Sequence, residues 1–246
     1  MNKIAIIIIV ILVIFLIYIL IMNDNDDRKI HKYSHLKSKL KTGDVLLFSC
    51  KKHSTLLNKM KYYIRTNLLG SEFGHVGIVI RDKNKLYLIE CTDVIHTGNR
   101  MAKRLNDYEK GGIRIVDLDY LLKRYHEKYG GIFGVRFISK EISNDIILNK
   151  LNQFKEKIFE NRAKLILLGF VDICISHHIA SYLCNFLSNY QKIMCSQFAH
   201  QLLYQCNAVN EYKSELFWPH LFDDNKVFDK IQKIPYSNLY KFTYDE

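Results

Sequence analysis

The stretch "FGHVGIVIRDKNKLYLIECT", residues 73–92, decides the fold. Two runs rich in β-branched and aromatic residues, 73–81 and 85–92, are joined by the polar residues DKNK, a pattern that predicts an antiparallel hairpin. A histidine, His75, interrupts the first run at a point where an aliphatic side chain would pack better. The pattern therefore predicts a hairpin and leaves His75 to be explained.

The loop length of this hairpin determines what faces His75, because side chains alternate between the two faces of a strand. A two- or four-residue loop centred between Lys83 and Asn84 places His75 opposite Thr92 and diagonal to Glu90, within reach of a long side chain. A three-residue loop reverses the parity and brings Cys91 or Asp93 opposite His75 instead. Both registers are open at this point.

Hydrophobic periodicity predicts further strands and helices along the chain. The predicted strands are 45–50, which follows a turn at Gly43-Asp44, 112–118 and 131–138. The predicted helices are 28–41, 53–69, about 118–128, 143–160, a hairpin of helices within 162–188, and a helix whose first turn contains Cys195. These elements predict an α+β fold.

Residues 4–22 form an unbroken apolar run, and about 20 such residues span a bilayer as a helix. The run ends in Met22-Asn23-Asp24 without a small-residue cleavage site, which favours an uncleaved single-pass anchor over the alternative of a cleaved leader. With no Gly/Ser-rich linker downstream, we predict a membrane anchor at 1–27 and one domain at 28–246. The lipid bilayer is thus a predicted partner, through residues 4–22.

The formal net charge of +11 is spread along the chain. No zinc-finger, RNP or helix-turn-helix signature accompanies it, so nucleic-acid binding is not expected. The N-terminal flank of the predicted anchor has Lys3 as its basic side chain, whereas the C-terminal flank has several. Basic flanks of membrane spans stay on the cytoplasmic side, so we expect the domain there. Heavy use of Asn, Lys, Ile and Tyr is typical of an AT-rich genome, including viral genomes.

The six cysteines show neither the density nor the spacing of a disulfide scaffold and are predicted to be reduced thiols. Cys174, His177, His178 and Cys184 approach the spacing of metal ligands. They lie in an apolar run without paired CxxC turns, so a zinc site is not predicted. The sequence gives no sign of any other cofactor.

His75, Glu90 and Cys195 together have the residue types of a nucleophilic triad. A carboxylate beside a strand histidine fixes its tautomer, and a helix N-terminus favours the thiolate of Cys195 and offers amides to an oxyanion. Gly74 and Gly77 would allow a substrate or helix to approach the backbone closely. The bland alternative is a hydrogen-bonded core histidine, a packed cysteine and a glutamate at a strand end.

Four segments in order, "TGDVLLFS", "FGHVGIVI", "LYLIECT" and "MCSQFAHQLL", resemble the permuted papain-like cysteine hydrolases of the NlpC superfamily. The resemblance is closest to the YiiX-like bacterial proteins and their poxvirus relatives, with the lecithin retinol acyltransferase-like enzymes as distant cousins. It implies a circularly permuted papain-like domain, with an antiparallel sheet or small barrel packed on helices. It also implies that Cys195 is the nucleophile, His75 the base and Glu90 the residue that orients the base, while Asp44 is structural.

The chain departs from this family at Gln197, where an acidic residue is common, and at Met194, where an aromatic one is. The apolar segment 162–188 is bulkier than expected and could shape or cover the cleft. The resemblance implies a membrane-anchored hydrolase or acyltransferase with a peptide-like amide or acyl-lipid substrate. The alternative is a catalytically inactive binding or virion-structural protein on the same scaffold.

Overall fold

The structure is a computed structural model that describes residues 28–49, 66, 71–92, 103–104, 111–160, 162–187, 191–212 and 216–245. The predicted anchor at 4–22 lies outside the described residues, and so does the predicted helix 53–69 apart from Thr66. Within the described ranges, none of the helices combines the length and apolarity needed to cross a membrane.

The described residues form a mixed sheet of eight strands in the order β1-β10-β7-β2-β3-β4-β6-β5. Neighbours are antiparallel except for β1 and β10, which are parallel. These strands are β1 Ile30–Lys32, β2 Val45–Ser49, β3 Phe73–Asp82, β4 Lys85–Thr92, β5 Lys103–Arg104, β6 Gly112–Asp117, β7 Ile132–Arg136 and β10 Tyr240–Thr243. Two further short strands, β8 Ile158–Phe159 and β9 Lys192–Ile193, pair in parallel with each other.

The α-helices in the described ranges are α1 Tyr33–Lys37, α2 Leu118–Tyr129, α3 Asn144–Leu151, α4 Arg162–Cys174, α5 His177–Phe186, α6 Cys195–Gln205 and α7 Asn225–Ile231. They cover both faces of the sheet. Val76 and Ile78 of β3 join one buried cluster with residues of α3 and α6, whereas Val79 joins a second cluster with α1 and α2. This mixed α+β architecture agrees with the predicted fold class.

The β3–β4 hairpin has the two-residue register. Asp82 pairs with Lys85 and Gly77 with Glu90, and Lys83 in the turn has a positive φ of 52°. Continuing this register places Glu90 diagonal to His75, as one of the two open alternatives predicts.

Gly77 is needed where it stands, although not for the predicted reason. A Cβ at this position would lie 2.8 Å from Leu88 Cδ2 and 2.9 Å from the carbonyl oxygen of Ile89. The close approach is therefore that of the neighbouring strand β4 and not of a helix or substrate. Gly43, with a φ of 102°, forms the predicted turn before β2.

Two predicted helices are wrong in part because non-local strand pairing replaces local helix propensity. The predicted helix 28–41 begins instead with β1, which pairs with β10 from the other end of the described chain, and only α1 is helical. The predicted helix 143–160 ends at Leu151, and β8 follows after a 3₁₀ turn at Asn152–Phe154. The predicted helical hairpin within 162–188 is confirmed as α4 and α5.

Candidate active site

Cys195 lies at the first position of α6, as the sequence predicts. The preceding residue, Met194, is extended, with φ of −81° and ψ of 159°, and its N–H donates to Oε1 of Gln197 at 3.1 Å. Gln197 thus caps the helix where the resembled family often has an acidic residue. The N–H groups in the first turn of an α-helix have no partner within the helix, so they point a partial positive charge toward the Cys195 region.

The segment before α6 is held on the sheet through the carbonyl oxygen of Ile193. This oxygen accepts from the N–H of Glu160 at 3.1 Å, as part of the β8–β9 pairing. The Cys91 thiol of β4 also donates to it at 3.6 Å. Contacts from both β8 and β4 therefore fix the position at which the chain passes from β9 into α6.

His75 lies between a carboxylate and the thiol. Its Nε2 is 2.5 Å from Oε2 of Glu90, and its side chain also forms a hydrogen bond with Cys195. The ring of Phe48, opposite His75 on β2, lies 5.5 Å from the imidazole centroid and forms an apolar wall. The side chain of His75 is 16% exposed, so solvent reaches a small part of the imidazole.

Arg114 is a fourth member of the site that the sequence analysis missed. It pairs directly with Glu90 across β4 and β6, and its Nε donates to Oε1 of Glu90 at 2.7 Å. Its Nη2 donates to the same oxygen. Glu90 is fully buried, so Arg114 both orients and neutralises a carboxylate that water does not solvate.

Neighbouring charges outweigh burial at both His75 and Glu90. Burial would lower the pKa of His75, but Cys195 and Glu90 raise it from 6.5 to about 10. Burial would raise the pKa of Glu90, but Arg114 and His75 lower it from 4.5 to about 2. The geometry therefore favours a row that runs from the Arg114 guanidinium through the Glu90 carboxylate and the His75 imidazolium to the Cys195 side chain.

The structure brings together all three residues named from the sequence, His75, Glu90 and Cys195. Asp44 has the structural position expected of it, because its carboxylate accepts from the N–H of Lys41 and of Ile138, each at 2.8 Å. No sequence signal reveals Arg114, since nothing between residues 93 and 111 sets the register of β6 against β4.

Among the described residues, no cluster of three or more His, Cys, Asp or Glu side chains is placed to hold a metal ion. The cysteines whose side chains the structure describes, Cys91, Cys184, Cys195 and Cys206, are not disulfide-bonded. Burial raises the pKa of the Cys206 thiol to about 11, against a smaller opposite effect of Lys150.

A cavity of about 540 Å³ lies between the α4–α5 hairpin and the face of α6 turned away from the sheet. Leu168 and Cys184 of the hairpin line it, together with Gln197 and His200 of α6. Its described lining does not include Cys195. The bulky hairpin therefore encloses space beside the first turn of α6, and this cavity is separate from the triad.

Comparison with known proteins identifies a viral relative over most of the chain. No protein-family model matches the chain. Over 219 residues, however, the chain is 46% identical to the uncharacterized protein R372 of Acanthamoeba polyphaga mimivirus, a match that covers 88% of this chain and 87% of that protein. The chain belongs to the family of this mimivirus protein. A viral relative agrees with the expectation from composition.

A solved structure with some likeness is that of the metalloprotein YiiX from Escherichia coli O157:H7. The two chains are 14% identical, the likeness covers 68% of this chain and 67% of YiiX, and the TM-score is 0.33. A likeness this slight carries no argument about function or metal content.

Proposed function

We propose that the protein is a cysteine hydrolase or acyltransferase that acts on an amide or ester, with Cys195 as nucleophile and His75 as general base. The observation that carries the proposal is the unbroken row of contacts from Cys195 through His75 to Glu90. A nucleophile, a base within hydrogen-bond reach and a third group that orients the base are the parts that nucleophilic catalysis requires.

In the proposed reaction, the Cys195 thiolate attacks a carbonyl carbon and forms a C–S bond. The carbonyl oxygen becomes an oxyanion, which the N–H groups at the start of α6 stabilise. When the C–N or C–O bond breaks, the His75 imidazolium gives its proton to the leaving amine or alcohol. Water or another acceptor then loses a proton to His75, attacks the thioester and releases the acyl product and the thiolate.

Glu90 and Arg114 are positioning residues in this scheme. Glu90 fixes the orientation of the His75 ring and stabilises its charged form, and Arg114 keeps Glu90 ionised inside the sheet. This arrangement resembles the permuted papain-like hydrolases in its order of residues. The substrate classes that follow are peptide-like amides and acyl lipids, and the predicted anchor at 4–22 would keep the domain at the cytoplasmic surface of a bilayer.

Alkylation kinetics test the nucleophile. The full-length chain is treated with iodoacetamide across a range of pH, and mass spectrometry locates the label in the parent and in His75→Ala. At neutral pH we expect Cys195 to react at least about tenfold faster than Cys206, because the thiolate is the reactive form and burial disfavours it at Cys206. In His75→Ala that advantage should be lost.

Lys83→Ala is the matched control, because Lys83 lies in the turn of the same hairpin and outside the row of contacts. It should leave the Cys195 rate unchanged. If Cys195 in the parent reacts no faster than Cys206, the catalytic proposal fails and the alternative of a binding or virion-structural protein replaces it. If it does react faster, a screen of amides and acyl lipids follows.

A further inference from the structure

An apolar stripe follows one side of the second helix of the α4–α5 hairpin. It consists of Ile179, Tyr182 and Phe186, which are 46%, 70% and 75% exposed. Spacings of three and four residues put these side chains on one face of a helix. Three large apolar side chains at successive turns of one helix face form a contiguous patch, unlike the scattered exposure common on soluble surfaces.

The opposite side of α5 packs against α4. Ala180 and Cys184 are buried there in a small cluster with Leu168 and Val171 of α4. The stripe therefore points away from the rest of the domain, and the described part of the chain does not cover it.

The first described residue after the predicted anchor is bonded to a segment that also contacts this hairpin. Arg28, the first described residue, forms an ion pair with Asp223 at 2.5 Å. Trp218, five positions earlier, donates from Nε1 to Asp172 of α4 at 2.7 Å. Burial lowers the pKa of His220, and the charges of Asp172 and Asp223 both oppose this shift. The described chain thus begins on a segment that also contacts α4 near the turn of the hairpin.

We propose that the stripe on α5 inserts into the same membrane leaflet that residues 4–22 enter, so that the hairpin is a second point of attachment. The segment from the end of the apolar run to Arg28 can span at most roughly 20 Å when extended, which keeps this side of the domain near the bilayer. A net charge of +11 complements an anionic lipid surface. Helices with a polar face and an apolar face bearing aromatic residues bind membranes in this orientation.

Quenching by brominated lipids tests the docking. The full-length chain is reconstituted into phosphatidylcholine–phosphatidylserine vesicles, with and without dibrominated acyl chains, as the parent, Tyr182→Trp and Tyr120→Trp. Tyr120 is the matched control because it is exposed on α2, across the sheet from the hairpin. The native Trp218 supplies a common background that the parent measures.

We expect the added tryptophan at 182 to be quenched at least about twofold more than the one at 120, because interfacial helices bury their apolar face at the acyl boundary. Equal quenching at both positions overturns the proposal. So does an unquenched but blue-shifted emission at 182, which would show protein, such as a second copy, over the stripe. A parent that stays off the vesicles overturns both docking and anchoring. Cys195 alkylation is measured separately, so none of these results depends on the proposed chemistry.

Discussion

At the scale of single residues, the candidate site contains charged side chains that are buried in the protein. Glu90 is fully buried and Arg114 is 5% exposed, and an isolated charge in such a place would cost several kcal/mol. The Glu90 carboxylate is flanked by the Arg114 guanidinium on one side and by the His75 imidazole on the other. Loss of one member leaves its neighbour buried without compensation.

Glu90→Gln tests this balance through the pH dependence of stability. The pKa of Glu90 is lowered from 4.5 to about 2 in the folded protein, so its stabilising contribution is present above pH 4.5 and is lost as the pH falls through about 2. At pH 7 we expect Glu90→Gln to lower the free energy of unfolding by about 3 kcal/mol, because Arg114 and His75 lose their buried counter-charge. Urea unfolding between pH 7 and 3 should show the gap to the parent narrowing with acid.

Glu127→Gln is the control for Glu90→Gln, since Glu127 is exposed on α2. Its effect should stay within about 0.5 kcal/mol at every pH. A gap for Glu90→Gln that is equally small, or that does not change with pH, would contradict the charge-balance argument. Slower alkylation of Cys195 in Glu90→Gln is expected as well, because His75 loses the carboxylate that favours its charged form.

The difference between Glu90 and Arg114 shows what single residues reveal in a sequence. Glu90 could be paired with His75 because the short polar turn at 82–85 limits the register of β3 and β4 to a few alternatives. Arg114 could not be paired with Glu90, because a long connection separates β4 from β6 and leaves the register open. The turn limited the alternatives to a set that included the His75–Glu90 pair, and only the long-range pairing of β4 with β6 brought Arg114 into the row.

At the scale of elements, the β3–β4 hairpin depends on how closely its two strands approach at Gly77. Gly77→Ala places a Cβ within 2.8 Å of Leu88 and 2.9 Å of the Ile89 carbonyl oxygen, and the backbone atom cannot turn aside as a side chain can. We expect a loss of about 1–3 kcal/mol in the free energy of unfolding. Because Gly77 pairs with Glu90, alkylation of Cys195 should slow as well.

Gly169→Ala is the control for Gly77→Ala. Gly169 lies inside α4, and a Cβ there would come no closer than 3.9 Å to Trp218, so Ala should stabilise the helix by about 0.5–1 kcal/mol. Opposite signs at the two glycines, measured by urea unfolding, are the expected result. Equal effects at both positions would mean that the approach of β4 does not constrain Gly77.

The elements that sequence analysis predicted are those whose pattern is local. The β3–β4 hairpin, α2 and the start of α6 follow from alternation, turn residues and helical spacing. β1 and β8 were missed because each is a strand only through its partner, β10 for the one and β9 for the other. Strands this short do not show the alternation of apolar and polar residues that predicts a strand. Their sequence also does not indicate which segment of the chain pairs with them.

At the scale of the whole molecule, the C-terminal segment is joined to the sheet through Arg136 of β7, which is fully buried. Its Nε donates to the carbonyl oxygen of Phe222 at 2.5 Å, and its Nη2 donates to that of Asp223 at 2.9 Å. The remaining donors reach the Ser237 carbonyl oxygen at 3.1 Å and Oδ1 of Asn225 at 2.6 Å. One guanidinium thus satisfies four acceptors on the segment that also holds Arg28 through Asp223.

Arg136→Lys keeps the charge and removes the planar fork, and an ammonium on a flexible stem cannot reach acceptors spread over four residues. We expect a loss of about 2–4 kcal/mol in the free energy of unfolding, because buried carbonyl oxygens are left without donors. Hydrogen exchange of the α7 amides should accelerate more than exchange in β3 and β4, since the segment is released from the sheet before the sheet itself opens. Arg124→Lys, on α2 with one hydrogen bond to Tyr120, should change neither quantity by more than about 0.5 kcal/mol. Uniform acceleration across α7 and the β3–β4 hairpin would instead show that the C-terminal segment and the site unfold as one unit.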